Sequence, residues 1–160
     1  ERDDFFRYSK LHGYVHDEGA AMLGGISGHA GLFSNAYEVA IVLQAMIQKG
    51  TYDNKRLFSE NSFNTFNYCY YCDNDNRSGV GFDKPQVEGK HGSTFGGVSM
   101  NSFGHYGYTG SIAWADPDEE IIFIFLSNRT YPTRENTLLQ TSNIRTRAQE
   151  IVYKSLIDSK

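Results

Sequence analysis

The sequence predicts an α+β domain in which an antiparallel sheet carries a C-terminal helix packed on one face. Three observations predict it. Two strand-like runs, from about Gly104 to Ala115 and from Ile121 to Leu126, are separated by Asp116-Pro117-Asp118-Glu119, turn chemistry in which Pro presets φ for the second position. The second run is almost unbroken apolar sequence, Ile121-Ile122-Phe123-Ile124-Phe125-Leu126, as a strand covered on both faces requires. Beyond it, Ile144, Ala148, Ile151, Val152 and Leu156 recur at helical spacing and put one apolar stripe on a helix over 143–158. His105 is expected at the start of the central strand, paired with 121–127 and covered by that helix.

In chain order, residues 1–33 are rich in Gly and small residues, and Leu23-Gly24-Gly25-Ile26-Ser27-Gly28-His29-Ala30-Gly31 predicts a shaped loop. Asn35 then offers a helix N-cap with Glu38 three residues on, a capping box. Ala36, Val39, Ala40, Leu43 and Ile47 follow at helical spacing, and Gly50 is a stop, so the helix spans 36–49. A second short helix runs from near Ser59 to about Phe66, and Asp73 to Gly79 is a polar surface loop. Val80-Gly81-Phe82 is compatible with a short strand. There is no internal repeat and no linker, which points to one unit.

A chain of 160 residues suits one domain and is long enough to bury roughly 68–70% of the surface its unfolded form exposes. With 39% hydrophobic and 21% charged residues it is not a disordered tail, and no apolar run approaches the roughly 18–20 residues that a bilayer crossing needs. Fifteen Lys+Arg against 19 Asp+Glu give a net charge of −4 with no basic stripe, which argues against nucleic acid as a partner. Aromatics at 14% suit a tightly built core and a stacking-rich cleft equally. The chain opens at Glu1 without initiator Met, charged n-region or apolar h-region, and is expected to be a piece excised from a longer protein.

Cys69-Tyr70-Tyr71-Cys72 lacks the second pair a structural zinc site requires, leaving surface thiols or a local disulfide. Asp73-Asn74-Asp75 begins like a calcium loop, but Arg77 and Lys84 stand where oxygen ligands belong. The five histidines, at 12, 16, 29, 91 and 105, contain no H-E-x-x-H pair, so neither a metal nor a cofactor is expected. His105-Tyr106-Gly107-Tyr108-Thr109-Gly110 is open to two readings. Its backbone N–H groups beside small glycines are a way to line a cleft and hold an oxyanion, or its glycines simply admit a neighbouring element.

That hexapeptide, followed by Trp114-Ala115-Asp116-Pro117 and Phe125-Leu126-Ser127-Asn128-Arg129, resembles the C-terminal half of the serine β-lactamase/penicillin-binding-protein-like hydrolases, near their class C and esterase branch. Val15-His16-Asp17-Glu18, Gly28-His29-Ala30-Gly31-Leu32-Phe33-Ser34 and Gly79-Val80-Gly81-Phe82-Asp83-Lys84-Pro85 resemble further segments in the same order, so the likeness runs from about His12 to Leu156. It implies a partial β-lactamase/transpeptidase-like fold, with residues 1–160 the C-terminal portion of one domain whose N-terminal half is absent. The family's strand motif, Lys-Thr-Gly or His-Thr-Gly, falls on His105, Tyr106 and Gly107. The resemblance implies that His105 is catalytic, assisting proton transfer or binding a substrate carboxylate, and that the Tyr108 N–H is an oxyanion donor. Tyr106, Gly107 and Thr109 would touch substrate. Tyr106 lacks the family's Thr hydroxyl there, which tilts the substrate from β-lactams towards an esterase-like or peptidase-like one.

The family nucleophile is the Ser of Ser-x-x-Lys, assisted by Tyr-x-Asn, and no Ser in this chain has Lys three residues on. Tyr52-Asp53-Asn54 spells the second motif but follows Gly50 at a helix end, as a turn would, and no Gly-x-Ser-x-Gly elbow substitutes. His16, Asp17 and His29 are expected to tie the Gly-rich loop through buried hydrogen bonds rather than to relay protons. Two functions follow: a fragment of an acyl-enzyme-forming serine hydrolase of the β-lactamase, D-Ala-D-Ala carboxypeptidase or esterase type, or a non-catalytic binding domain that keeps the cleft strand. For the first, the expected substrate is a small or peptidoglycan-like molecule in the periplasm or another extracytoplasmic space. The expected partner is the missing N-terminal half or a second copy, covering an otherwise exposed apolar face.

Overall fold

The computed structural model describes residues 1–74, 76–86, 92 and 94–157; Asp75, His91 and Asp158, which entered the expectations above, lie outside the described residues. The chain opens with a two-residue-per-strand hairpin, β1 (Arg2–Asp3) against β2 (Ser9–Lys10), then α1 (Glu18–Met22) and α2 (Ala36–Ile47). A second small hairpin, β3 (Thr51–Tyr52) with β4 (Lys55–Arg56), precedes α3 (Glu60–Asn67). Three strands form the main sheet: β5 (Phe103–Tyr106), β6 (Ile112–Asp116) and β7 (Ile121–Phe125), in that order and antiparallel throughout. The short α4 (Leu138–Thr141) and the long α5 (Ile144–Ile157) end the chain.

The sheet is the middle layer of three. Side chains alternate across a strand, so Ile112, Trp114, Ile121 and Phe123 face one side and pack with Val98, Tyr153, Ala148 and Val152, the last three from α5. Ala113, Ala115, Ile122 and Ile124 face the other side, where Leu43, Val39, Met46 and Ile47 of α2 meet them with Phe103. That double cover is why β7 is apolar at every position, and it agrees with the reading of 121–126 as a strand buried on both faces.

α2 starts where its cap predicts: Asn35 accepts the Glu38 N–H at 3.0 Å. The reciprocal half of the capping box is not made, because the Glu38 carboxylate accepts from the Ser34 hydroxyl at 2.9 Å instead. The helix closes at Ile47, two residues before the expected end. Lys49 at φ +52° bonds back to Met46 O and Gly50 at φ +92° to Ala45 O, a Schellman ending. The second helix begins and ends within a residue of expectation.

Three expectations about strands need correction. Residues 104–115 are not one strand but two, since Gly107 N donates to Ser111 O at 2.8 Å and Gly110, at φ +102°, lets the chain reverse. The partner of 121–125 is therefore β6, which is the central strand, and His105 lies on the edge strand β5, opposite Ala113. Val80-Gly81-Phe82 forms no strand; the chain there makes only isolated bridges, Ser78 with Asp83 and Asp83 with Gly104.

The end of β6 is tied by one buried carboxylate. Asp116, fully buried, accepts the Ser99 N–H at 2.8 Å, the Ser99 hydroxyl, the Tyr153 hydroxyl at 3.1 Å, and the Asp118 and Glu119 N–H groups of the following turn. Burial and the Asp116 charge together push the Tyr153 phenol far above its ordinary range. Cys69 and Cys72 form a disulfide with their Cα atoms 5.5 Å apart. Within residues 22–37, Met22, Leu23, Ile26, Leu32, Phe33 and Tyr37 are 64% to 87% exposed, an unusual concentration of uncovered apolar side chains. No helix among the described residues is long and apolar enough to cross a membrane.

Candidate functional site

The antiparallel register decides what β5 offers to solvent. Gly104 exchanges backbone hydrogen bonds with Asp83 on the outer side of the sheet, Asp83 N to Gly104 O at 2.8 Å and Gly104 N to Asp83 O at 3.2 Å. Since backbone direction alternates along a strand, the Tyr106 N–H and C=O face that same outer side, and no strand continues there among the described residues. Gly104 itself has no room for a side chain, because a Cβ would run into Ala113 O and the Trp114 ring.

His105 is exposed, its Nδ1 2.9 Å from Tyr106 O and its ring stacked on Tyr106 with centroids 5.8 Å apart. Gly107 and Tyr108 follow in the turn, both exposed, and the Tyr108 N–H meets no acceptor among the described residues. Thr109 is bound from behind: its C=O accepts the Arg129 N–H at 2.8 Å and the Ser127 hydroxyl at 3.4 Å. Gly110 is buried against Ser127 and Leu139. The five residues singled out from the sequence thus form one continuous rim from the end of β5 around the turn.

Two arginines that sequence reasoning did not single out for a role hold this rim. Arg129, buried, donates through Nε to Tyr108 O at 2.7 Å and through Nη1 to Arg134 O and Asn136 O, and its guanidinium lies 4.3 Å from the Tyr108 ring centroid. Four contacts on one rigid fork fix the turn to the segment after β7. Arg145, at the start of α5, lies over the Tyr106 ring at 5.1 Å. Neither contact with the rim has a local sequence signature, since Arg129 reaches Tyr108, and Arg145 reaches Tyr106, across more than twenty residues.

The N-terminal segment reaches the rim through His16, whose ring is 5.4 Å from that of Tyr108 at a tilt of 44°. His16 Nδ1 sits 2.9 Å from Glu1 Oε2 without the alignment of a hydrogen bond, and burial lowers the imidazole pKa. Arg134 joins Glu1 and Glu18, at 2.9 and 2.6 Å, and so binds the start of the chain to the segment after β7.

Asp17 caps α1 through the Ala20 N–H at 2.7 Å and meets His29 Nε2 at 2.9 Å, and these bonds hold its carboxyl below the usual range. His29 Nδ1 meets Ser27 Oγ at 2.8 Å. Asp17 and His29, with Ser27, tie the Gly-rich loop to α1, but at the surface, His29 being 57% and Asp17 42% exposed, and His16 takes no part, its ring nitrogens meeting no hydrogen-bond partner among the described residues; the expectation of buried bonds from all three of His16, Asp17 and His29 is corrected. No group of three His, Cys, Asp or Glu side chains among the described residues is placed to hold a metal ion.

Set against known proteins, the chain matches the model of the Beta-lactamase family over residues 2–145. Curated relatives from Salmonella enteritidis PT4, Salmonella agona SL483 and Escherichia coli K12, each named "Putative D-alanyl-D-alanine carboxypeptidase", are 36% identical over 129 residues. The match takes in 78% of this chain and 29% of each relative, so the chain spans under a third of their length.

Proposed function

The chain belongs to the beta-lactamase family, and from that premise we propose that it is the C-terminal part of a serine hydrolase whose acyl-enzyme forms on a serine outside this sequence. In this reading the β5 rim is one wall of the cleft. The Tyr108 N–H, without an acceptor among the described residues and held by the Arg129 clamp on the same residue's carbonyl, donates to the oxyanion of the tetrahedral intermediate. His105 assists proton transfer to the leaving group, and Tyr106, Gly107 and Thr109 bound the substrate. The observation that carries the reading is the Tyr108 N–H, which meets no acceptor among the described residues, in the turn that follows β5 and its exposed His105 imidazole.

A preorganised donor that needs no reorientation is worth roughly 2.7–4 kcal/mol in the barrier of acyl transfer, and the turn supplies one such donor of an oxyanion site. The nucleophile, its base and the second donor are supplied by residues outside the sequence. The names of the relatives favour a D-alanyl-D-alanine-type substrate, and hence peptidoglycan and an extracytoplasmic site of action. The Cys69–Cys72 disulfide supports that compartment, because such bonds persist where thiols are not kept reduced.

The test compares this chain with the longer protein of which it is proposed to be part. The isolated chain is expected to leave a chromogenic cephalosporin, a short-chain nitrophenyl ester and a D-alanyl-D-alanine peptide untouched, since it lacks an activated serine. The longer protein is expected to hydrolyse at least one of them, with His105→Ala lowering kcat by about 10²- to 10⁴-fold. Robust turnover by the isolated chain would defeat the reading. Absence of any covalent adduct between the longer protein and a serine-directed acylating probe would favour a non-catalytic binding domain instead.

A further inference from the structure

The Cys69–Cys72 disulfide does little to hold the core together. It joins residues three apart, so it restrains the unfolded chain far less than a bridge between distant elements would. Neither cysteine belongs to the two core clusters; both are half-buried, among Tyr68, Tyr70, Tyr71, Asp73 and Asn74, all exposed.

What the disulfide does lie on is a path to β5. Asn74 and Asn76 donate their N–H groups to Tyr71 O at 2.9 and 3.2 Å, so the chain leaving the disulfide folds back on it. Arg77 follows at once: its carbonyl accepts the Lys84 N–H at 2.8 Å, and its Nε donates to Pro85 O at 2.7 Å. On the other side of the disulfide, the end of α3 grips the same segment. Phe66 O accepts the Val80 N–H at 2.7 Å, and Asn67 Oδ1 accepts from Lys84 Nζ at 2.8 Å. Between these grips lies Asp83, whose isolated bridge with Gly104 is the pairing on the outer side of β5. A bridge without a ladder has no neighbouring pairs to support it, so its opening is local and depends on its anchors. Both anchors flank the disulfide closely in the chain. Breaking the S–S bond returns backbone freedom to the connection between Asn67 and Arg77, and keeping the two anchors together then costs more entropy.

We propose that Cys69–Cys72 is a reversible thiol–disulfide exchange site for a dithiol, and that its redox state sets how firmly the segment 77–85 is held against the outer edge of β5. A thiolate of the dithiol attacks one sulfur, the S–S bond breaks, and the other cysteine leaves as a thiolate and takes a proton. The second thiolate of the donor then attacks its own sulfur in the mixed disulfide and expels the remaining cysteine. Two electrons and two protons pass to the chain, and the donor ends as a disulfide. The catalytic consequence rests on the reading of β5 as a cleft wall: with the disulfide reduced, that wall loses its lateral support and turnover by the longer protein falls.

The isolated chain is incubated in native buffer with excess dithiothreitol, its free thiols are counted by mass after alkylation, and amide hydrogen exchange is followed in both states. Two thiols are expected to appear without denaturant. Exchange at Asp83, Lys84 and Gly104 should quicken about ten-fold while the amides of the β6–β7 ladder keep their rates, and glutathione disulfide should restore the slow exchange. The double variant Cys69→Ser/Cys72→Ser should show the fast exchange with and without dithiothreitol, its protected β6–β7 amides certifying the fold. A disulfide that resists dithiothreitol until the chain is unfolded, unchanged exchange at Asp83 and Gly104, or acceleration that spreads equally to β6 and β7 each overturns the proposal. So does a longer protein whose turnover is the same in the double variant. A longer protein that never forms an acyl-enzyme, while reduction still frees Asp83 and Gly104, would remove the hydrolase reading and leave the exchange site and its hold on β5 standing.

Discussion

Replacing Asp116 by Asn is expected to cost about 2–4 kcal/mol of stability although it changes one atom. The carboxylate serves donors on both oxygens: Oδ2 takes the Ser99 N–H and the Tyr153 hydroxyl, and Oδ1 takes the Ser99 hydroxyl and the Asp118 and Glu119 N–H groups. An Asn can keep only one of these sides as an acceptor. Its NH2 must then face either the Ser99 N–H or the turn N–H groups, and a backbone donor cannot rotate away as a hydroxyl can. A stranded buried donor costs roughly 1–3 kcal/mol, and the surviving bonds lose the strength that an ionised acceptor lent them. Tyr153→Phe removes one bond only and should cost about 1 kcal/mol. Urea denaturation followed by the fluorescence of Trp114, the single and fully buried tryptophan, reads both. At a slope of roughly 1–3 kcal/mol/M the Asn variant should shift the midpoint by about 1–2 M. A shift no larger than that of Tyr153→Phe would refute the claim that the carboxylate is irreplaceable here.

Gly104→Ala should destabilise the chain by at least about 2 kcal/mol, because its Cβ meets the Ala113 carbonyl and Trp114 across the β5–β6 pair; thermal unfolding measures it. Lys84 is buried, donates to Asn67 Oδ1 at 2.8 Å, and has its pKa lowered to about 8 by burial, with Arg77 adding repulsion. Its folded pKa lies below the unfolded value near 10.4, so the cost of charging it is carried in full below about pH 8 and relieved as pH rises. Wild type should therefore gain stability between about pH 8 and 9.5 relative to Lys84→Met, by up to ~2 kcal/mol, and parallel curves for the two proteins would contradict the shift. Arg129→Lys keeps the charge but not the fork that spans Tyr108 O, Arg134 O and Asn136 O, and should cost about 2–3 kcal/mol by urea denaturation. In the longer protein the same change should lower kcat more than it alters KM, since it acts on the position of the Tyr108 N–H.

What the sequence by itself determined are the elements whose causes are local. α2 begins at Asn35 because its cap and the apolar stripe at 39, 43 and 47 are contained in one stretch of chain, and β7 is apolar at each position because two helices cover it. The residue types from His105 to Gly110 left cleft lining and plain packing both open, and it was the resemblance to a family motif that made the segment a site candidate. Tertiary structure decided which strand is central. Gly107 and Gly110 fit a strand interior and a reversal equally well on paper, and the reversal wins because Ser111 O takes the Gly107 N–H while Arg129 and Ser127 take the carbonyl of Thr109 from behind. That moved His105 to a sheet edge, where no strand pairs with the neighbouring Tyr106 on its outer side among the described residues. It also brought Arg145 over Tyr106 from 39 residues away in the chain, a contact set by the packing of α5 on the sheet. Spacing along a strand or helix is encoded within a few residues, whereas the pairing of charges and rings across the sheet exists only once the layers have closed on one another.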